Sequence, residues 1–236
     1  MPSVRPIANA GHAVGWTIVL SSVALGCFGV TRSRPMFRKF TRFWADGLAG
    51  AWGLEVRAFG TEQLALDQPY VFVANHTSLV DIVALFVALP MNVGFLAKKE
   101  LRKVPFLGQA MVAGGHVFVK RGERESARAA LAEAAKDVAA GACIVVFPEG
   151  TRGSGEAIQT FKKGGFQLAQ HAAVPVVPVG LRGTGAIMGR SEWVVRPGSV
   201  EVHVGAPVRA ADFGDLPDFV DHVRGRVAEL AAVPLG

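Results

Sequence analysis

A histidine and an aspartate, His76 and Asp81, lie between two apolar runs at residues 70–74 and 82–89. An imidazole oriented by a carboxylate is a common form of general base, because the carboxylate fixes the tautomer and stabilises the imidazolium that forms. A helix turns once in about 3.6 residues, so the pair can meet only if His76 precedes a helix and Asp81 reaches back from its first or second turn. The alternative is an ordinary helix cap beside a solvated histidine.

A second polar segment, Glu149-Gly150-Thr151-Arg152, follows the apolar run 143–147. If that run is a strand, the segment lies at a carboxyl end, where open α/β sheets build their sites. Gly150 permits a tight turn, and the planar guanidinium of Arg152 suits a phosphate. Glu149 would hold a substrate hydroxyl or brace Arg152. A surface turn with an ordinary ion pair is the alternative.

Other basic residues could add charge to an anion site. Lys98 and Arg121 each follow an apolar run, and Phe-Lys-Lys-Gly-Gly at residues 161–165 precedes a helical stretch whose first backbone amides are free. Each of these cations alone is more often a solvated residue at the end of a strand. Lys98 and Arg121 are therefore candidate anion ligands only together with Arg152.

Short apolar runs alternate with helical stretches in residues 50–236. Candidate strands are 54–59, 70–74, 93–97, 116–119, 143–147, 176–181 and 200–204, and candidate helices are 126–140, 164–172 and 216–230. Several strands are continuous runs of Val, Ile, Phe and Leu, which is typical of strands covered on both faces. The pattern predicts one α/β domain with a mixed, largely parallel sheet covered by helices.

The run 174–179 contains two prolines, Pro175 and Pro178. Proline cannot donate a hydrogen bond to a strand ladder. We therefore expect an edge or terminal strand here, lining an apolar slot.

The first 49 residues have a different character. No charged residue occurs from residue 11 to 30, a length near the lower limit for spanning a bilayer. The next stretch resembles a basic, aromatic-rich amphipathic helix at an anionic membrane surface. Its residues are Arg32, Arg34, Met36, Phe37, Arg38, Lys39, Phe40, Arg42, Phe43 and Trp44. We predict that residues 1–49 attach the chain, through residues 11–44, to the cytoplasmic face of a membrane (the inner membrane in a bacterium).

Other interpretations of residues 11–30 are weaker. In a signal peptide the basic residues precede the apolar run, whereas here only Arg5 does, and no A-x-A site follows. A lipoprotein cleavage site would need an aliphatic residue where Ala24 stands before Leu25-Gly26-Cys27. A buried helix of a soluble protein is a further alternative, and spanning the bilayer versus lying in one leaflet stays open.

Charge and cysteine content narrow the function classes. A net charge of +6 suits nucleic acid, an anionic membrane surface or a phosphorylated substrate. No long Lys/Arg block stands beside an aromatic-rich strand, so nucleic acid is the weakest of the three. Cys27 and Cys143 lie in apolar runs without a Cys-x-x-Cys pair, so neither a disulfide framework nor a metal site is expected.

Four blocks of the chain, in this order, resemble the glycerolipid acyltransferase family, whose best-known members are the 1-acyl-glycerol-3-phosphate acyltransferases. The blocks are residues 75–81, 98–121, 147–152 and 174–179, and together they span about half of the chain. Thr77 stands where many relatives carry glutamine or another polar residue, and Gly153 where serine is frequent.

The resemblance implies that His76 is the general base and Asp81 its orienter. The implied ligands of the acceptor are Glu149, Gly150, Thr151, Arg152, Lys98 and Arg121. The donor would be acyl-CoA or acyl carrier protein (acyl-ACP), with no bound cofactor or metal. The implied acceptor is the lysophospholipid 1-acyl-glycerol-3-phosphate, which gives phosphatidic acid in phospholipid biosynthesis; another lysophospholipid or lyso-aminolipid stays open.

Rival functions come from other classes. A lipase or thioesterase would need a nucleophile elbow, and the sequence contains no G-x-S-x-G. A non-catalytic lipid-binding protein would use the N-terminal segment and the basic surface but would leave His76 and Asp81 unexplained. The sequence therefore favours an acyltransferase.

Overall fold

A computed structural model describes residues 5–31, 34–120 and 122–236. Arg32 and Arg121 lie outside the described residues, as do the side chains of Arg34, Met36 and Arg38. The helices are α1 (Arg5–Thr31), α2 (Arg34–Trp52), α3 (Val80–Ala88), α4 (Leu107–Ala113), α5 (Arg124–Ala139), α6 (Gly164–Ala172), α7 (Thr184–Ile187) and α8 (Leu216–Ala231). The strands are β1 (Leu54–Phe59), β2 (Val71–Ala74), β3 (Val93–Lys98), β4 (Val117–Val119), β5 (Cys143–Val146), β6 (Val176–Arg182) and β7 (Gly198–Val204).

The seven described strands form one sheet in the order β1-β7-β6-β2-β5-β3-β4. Neighbouring strands are parallel except β6 and β7, which are antiparallel. β2 and β5 lie in the interior and are buried at every position, as their uniformly apolar sequences predict. The predicted fold class, a mixed and largely parallel sheet covered by helices, is confirmed.

Each face of the sheet has its own apolar core, because successive side chains of a strand point to opposite faces. Phe72 of β2 belongs to the cluster that includes α2 and α3, whereas its neighbours Val71 and Val73 belong to the cluster that includes α5, α6 and α8. In the second cluster Phe166 meets Phe219 edge-on, with 5.5 Å between ring centroids. Helices therefore pack on both faces of β2, the strand that leads directly to His76.

β6 is an interior strand between β7 and β2, so the prediction of an edge or terminal strand is wrong. The last bond of the β6–β7 ladder is the one that the Gly205 N–H donates to the Pro178 carbonyl, at 2.9 Å. The chain then turns away from β6 and pairs with it again only at Val208, which exchanges two hydrogen bonds of 2.8 Å with Val176. The missing N–H of Pro178 falls at this interruption, where proline is compatible with an interior strand.

Indole groups join α1 to α2. Trp16 Nε1 donates to the Trp44 carbonyl at 3.2 Å, and Trp44 Nε1 donates to Thr17 Oγ1 at 3.0 Å. The Trp44 ring also meets Phe86 of α3 edge-on, with 6.0 Å between centroids. α2 therefore connects α1 to the α/β core.

The two N-terminal helices differ in burial. The stretch Gly11–Thr31 of α1 is long and apolar enough to cross a membrane; its most apolar part has a mean hydropathy of 1.9 and is only 17% buried. α2, in contrast, buries Leu48 and Trp52 in the core beside α3. The division into an attachment segment, 1–49, and a domain, 50–236, stays a prediction, with α2 contributing to the core of the domain.

Gly180→Ala should destabilise the protein, because a Cβ at Gly180 of β6 would overlap the backbone of Leu230 and Ala231 in α8. Overpacking of this kind typically lowers the free energy of unfolding by about 1–3 kcal/mol, which chemical denaturation of the full chain in detergent would measure. Gly225→Ala is the control, since the Cβ position of Gly225 on α8 has open space around it and alanine favours a helix. Equal stabilities of the two variants would contradict this packing.

Candidate active site

The carboxyl ends of β6, β2, β5 and β3 meet at one edge of the sheet, because these strands are mutually parallel. His76 follows β2, Glu149 follows β5, and Lys98 is the last residue of β3. The sheet therefore brings together the polar segments that are far apart in sequence. We call residues 75–79 the His76 loop and residues 147–153 the Glu149 turn.

His76 and Asp81 are in direct contact, with 2.7 Å between His76 Nδ1 and Asp81 Oδ2. His76 precedes α3, and Asp81 is the second residue of that helix, so the carboxylate reaches back as the spacing requires. The same Oδ2 accepts the N–H groups of Thr77 at 2.8 Å and Ser78 at 2.9 Å. Asp81 is 0% exposed; these three contacts satisfy Oδ2, whereas the equally buried Oδ1 has no hydrogen-bond partner among the described residues. With Nδ1 donating to the carboxylate, a tautomer assigned from this contact, Nε2 is the basic nitrogen.

The His76 loop is fastened to the strand beside it and to the chain after α7. Asn75 Nδ2 donates to the Leu181 carbonyl at 3.0 Å, and the Leu181 N–H donates to Asn75 Oδ1 at 2.7 Å, as a strand residue would pair. The buried Ser78 hydroxyl donates to the Met188 carbonyl at 2.7 Å and accepts the Val80 N–H at 3.1 Å. These bonds leave the loop little freedom to move the imidazole.

Glu149 holds the backbone of the site. Its Oε1 accepts the His76 N–H at 3.0 Å and its Oε2 accepts the Gln159 N–H at 3.2 Å, while only 7% of the residue is exposed. Burial raises the pKa of Glu149, and the two amide hydrogen bonds oppose that rise. The expectation that Glu149 braces Arg152 is wrong, because these two described residues form no ion pair; the carboxylate is occupied by backbone amides.

Gly150 makes the Glu149 turn sharp. Its φ is +74°, a left-handed conformation that favours glycine, and its N–H donates to the Phe147 carbonyl at 3.0 Å. The Lys162 side chain occupies the space that a Cβ at this position would need. The turn then leads to Gly153, whose N–H donates to the His76 carbonyl at 2.7 Å. The Glu149 turn and the His76 loop are thus joined at two points.

Besides that of Glu149, the structure describes three of the side chains predicted to bind an anion or the acceptor, those of Arg152, Lys98 and Thr151. Arg152 is half-buried, and its guanidinium has no hydrogen bond or ion pair to any other described residue. Lys98 is exposed at the end of β3, at the same edge. Thr151 is exposed, and its hydroxyl accepts from Arg190 Nη2 at 3.5 Å. Arg121 lies outside the described residues, so its predicted role stays untested.

A family model described as Acyltransferase matches residues 55–182. The chain belongs to the acyltransferase family. The match covers all four blocks on which the resemblance was based, so the predicted relationship is confirmed.

Several 1-acyl-sn-glycerol-3-phosphate acyltransferases are similar to this acyltransferase. One from Saccharomyces cerevisiae is 34% identical over 182 residues, which are 75% of this chain and 60% of the relative. A chloroplastic one from Brassica napus is 37% identical over 204 residues, 82% of this chain and 58% of the relative. This chain therefore spans about three fifths of the length of these two relatives.

A solved structure of the same family shares the architecture. The crystal structure of the 1-acyl-sn-glycerophosphate (LPA) acyltransferase PlsC from Thermotoga maritima matches with a TM-score of 0.85 at 27% identity. The match covers 97% of this chain and 94% of that chain, so it includes α1 and α2 as well as the sheet.

Sequence reasoning missed the aromatic ring that covers the histidine of this acyltransferase. Phe147 stacks on His76, with 4.0 Å between ring centroids and 14° between planes. Phe95 and His116 extend this row of rings: the ring centroids of Phe147 and Phe95 are 6.0 Å apart, and those of Phe95 and His116 are 5.8 Å apart. Burial lowers the pKa of His116 to about 4, and its Nδ1 accepts the Phe95 N–H at 3.2 Å. At the end of an apolar run Phe147 resembled an ordinary core residue.

The candidate site also depends on groups from distant segments, in β6, in and after α7 and before α6, that no motif marked. They are the Gln159 N–H, the Leu181 backbone, the Met188 carbonyl and the Thr184 hydroxyl, which lies 2.9 Å from the Thr77 hydroxyl. Most of these contacts use the backbone, which every residue possesses. Residue type therefore carried no signal for them.

Glu149→Gln should lower acyl transfer although the side chain keeps its size. An amide offers one acceptor oxygen, so its NH₂ group would face one of the two N–H donors now satisfied by the carboxylate. An unpaired buried donor costs about 1–3 kcal/mol, and here the cost falls on the loop that carries His76. We expect a lower kcat, measured together with thermal unfolding. Glu156→Gln, at an exposed site in the loop after the turn, is the control; full activity in both variants would show that Glu149 does not hold the loop.

Proposed function

We propose that the protein transfers a fatty acyl group from acyl-CoA or acyl-ACP to the free hydroxyl of 1-acyl-glycerol-3-phosphate, giving phosphatidic acid. The observation that carries this proposal is the His76–Asp81 pair at the same edge as the unpaired guanidinium of Arg152. The residue after Arg152, Gly153, is hydrogen-bonded to the His76 carbonyl, which keeps the base and the cation in adjoining loops. An acceptor with a hydroxyl near a phosphate fits this combination.

The proposed reaction is a direct transfer. His76 Nε2 takes the proton of the acceptor hydroxyl as that oxygen attacks the thioester carbonyl carbon. The C–O bond forms, the tetrahedral adduct collapses, the C–S bond breaks, and the imidazolium returns its proton to the leaving thiolate. Asp81, which contacts the ring at Nδ1 and not at Nε2, keeps the ring oriented and stabilises its positive charge while the proton is held.

A covalent acyl-enzyme is not part of this mechanism. Cys143 begins β5, at the opposite edge of the sheet, and Cys27 lies in α1. Ser78 is close to His76 in sequence, but it is fully buried and its hydroxyl donates to the Met188 carbonyl. The described residues around His76 therefore favour the acceptor hydroxyl as the nucleophile.

Cations at one side of His76 would bind the acceptor. Arg152 offers a planar donor fork to the phosphate, and Lys98 adds a point charge from the end of β3. Arg121 is proposed as a further ligand, and Gly150 and Thr151 shape the turn that presents Arg152. Glu149 contributes by positioning the His76 backbone rather than by binding glycerol.

Membrane attachment through residues 11–44, on the cytoplasmic face, would bring this site to its lipid substrate. The exposed apolar residues of α1 support the proposal: Val14 is 61% exposed, Val19 56% and Val23 47%. Such a surface is stabilised when lipid covers it. The acceptor would stay in the bilayer, while the donor thioester arrives from water.

His76→Ala should abolish transfer, since a positioned general base typically contributes about 100- to 10,000-fold to the rate. The measurement is thiol release from a long-chain acyl-CoA by purified protein in detergent, with and without 1-acyl-glycerol-3-phosphate. His171→Ala, at an exposed site in the last turn of α6, is the control. Full activity of the His76 variant would end the catalytic assignment, and release without acceptor would favour a thioesterase.

Arg152→Ala should chiefly weaken use of the phosphorylated acceptor. Loss of a charge-assisted hydrogen bond costs about 1.5–3 kcal/mol, so KM for 1-acyl-glycerol-3-phosphate should rise roughly 10- to 100-fold while KM for the acyl donor changes little. Monoacylglycerol, which lacks the phosphate, should be used no worse than by the wild type. Arg226→Ala, on the exposed side of α8, is the control. An unchanged preference for the phosphorylated acceptor would exclude Arg152 from phosphate binding.

A further inference from the structure

The loop between β3 and α4, residues 99–106, is exposed throughout and combines apolar with basic side chains. Leu101 is 38% exposed, Val104 39% and Phe106 46%, and Val112 on the following helix is 47% exposed. Single exposed apolar residues are common on protein surfaces, but a cluster of this kind marks a place where something else binds. We call residues 99–106 the β3–α4 loop.

Phe106 has a strained backbone. Its φ is 61° and its ψ −53°, and the Leu107 N–H donates to the Pro105 carbonyl at 2.7 Å, so Phe106 is the central residue of a γ-turn with positive φ. This turn is rare and unfavourable for a bulky residue. The other described non-glycine residues with positive φ, Ala173 and Ala232, lie in the ordinary left-handed conformation that ends a helix.

Burial within the chain covers only part of Phe106, although its backbone is strained. The residue is 46% exposed, and glycine would adopt the same turn without a clash of its side chain. The turn itself is tightly held, because a Cβ at Gly108 would overlap the Arg102 carbonyl. Strain that persists without an internal benefit points to a function of the side chain outside the fold.

The position and charge of the β3–α4 loop identify a lipid bilayer as the partner. α4 packs against the apolar helix α1, so the loop continues the surface proposed to contact the membrane. Within the loop Lys99, Arg102 and Lys103 outnumber the single acid, Glu100. Basic residues around exposed apolar side chains suit anionic headgroups above a hydrocarbon interior.

We propose that the β3–α4 loop is a second membrane contact, separate from α1 and α2, in which Phe106 and its apolar neighbours enter the bilayer and the basic residues meet lipid phosphates. Lys98, the proposed acceptor ligand, immediately precedes this loop at the end of β3. Insertion therefore places the acceptor site at the headgroup level. The proposal rests on the proposed function, because it assumes an acceptor that stays in the membrane.

The variant Phe106→Gly removes the aromatic side chain while keeping the backbone turn. The glycine relieves the turn, so the variant should be at least as stable as the wild type to heat. Its rate on 1-acyl-glycerol-3-phosphate embedded in anionic vesicles should fall roughly tenfold, as expected for losing one buried phenyl contact, while the rate on a short-chain acceptor dissolved as monomers stays the same. Ala173→Gly, which also relieves a positive φ but far from the loop, should leave both rates unchanged. An unchanged vesicle rate, or an equal fall on the soluble acceptor, would overturn the proposal.

The depth of residue 106 in a lipid bilayer can be measured directly, without an assay of acyl transfer. A nitroxide on Phe106→Cys, with Cys27 replaced by Ala and the buried Cys143 retained, should be shielded from a water-soluble nickel quencher and exposed to oxygen when phosphatidylglycerol vesicles are added. Leu66→Cys, at a 70% exposed apolar position between β1 and β2, is the control and should stay in water. Equal access of nickel to both labels would refute insertion of Phe106 even if acyl transfer is established, whereas shielding at Phe106 alone would support insertion even if the acceptor proves to be another lipid.

Discussion

Two carboxylates with almost no access to water, Asp81 and Glu149, determine the shape of the edge of the sheet that carries the candidate active site. A carboxylate oxygen removed from water is stabilised by donors, and here Asp81 Oδ2 and both Glu149 oxygens meet the backbone N–H groups of residues 76, 77, 78 and 159 together with the His76 ring, while Asp81 Oδ1 has no partner among the described residues. The loop that carries the base is therefore folded around the negative charges. Residues far from the reacting atoms matter because they keep this loop closed around its carboxylates.

The strand order separates the tasks of the two sides of His76. Toward β5 and β3 lie the Glu149 turn, Arg152 and Lys98, which carry the positive charge available to a phosphate. Toward β6 Asn75 is bound to the Leu181 backbone, and the cation that ends this strand, Arg182, donates to the Leu230 carbonyl and lies near Glu201. Because β2 lies between β6 and β5, the candidate base is braced on the β6 side, and its proposed acceptor ligands lie on the side of β5 and β3. A binding side and a bracing side thus follow from topology before any ligand is considered.

Local patterns in the sequence predicted the strands and the contact between His76 and Asp81 well, but not the short helices α4 and α7. The apolar runs gave all seven described strands to within about two residues at each end, which is the usual uncertainty of such boundaries, and the His76–Asp81 spacing gave the correct relation of loop to helix.

The predictions that failed concern contacts between distant parts of the chain. Pro178 suggested an edge because the departure of the chain after β7, which makes an interior proline tolerable, leaves no local trace. Bracing Arg152 was one of the two roles expected of Glu149, beside holding a substrate hydroxyl, because the two residues are close in sequence; burial instead directs its oxygens to amides of other segments. Phe106 was not singled out, since its strain is a property of the backbone and not of the residue type.

The bond between Asn75 and Leu181 has a consequence for how the protein is made. These two residues are 106 positions apart, so the base cannot be braced until β6 has formed beside β2. The α1–α2 hairpin needs only contacts between neighbouring helices and is complete in a chain that has barely begun the sheet. During synthesis the chain therefore completes the segment proposed to attach it to a membrane long before it completes the proposed active site. With both proposals, a nascent or prematurely ended copy would occupy lipid without modifying it.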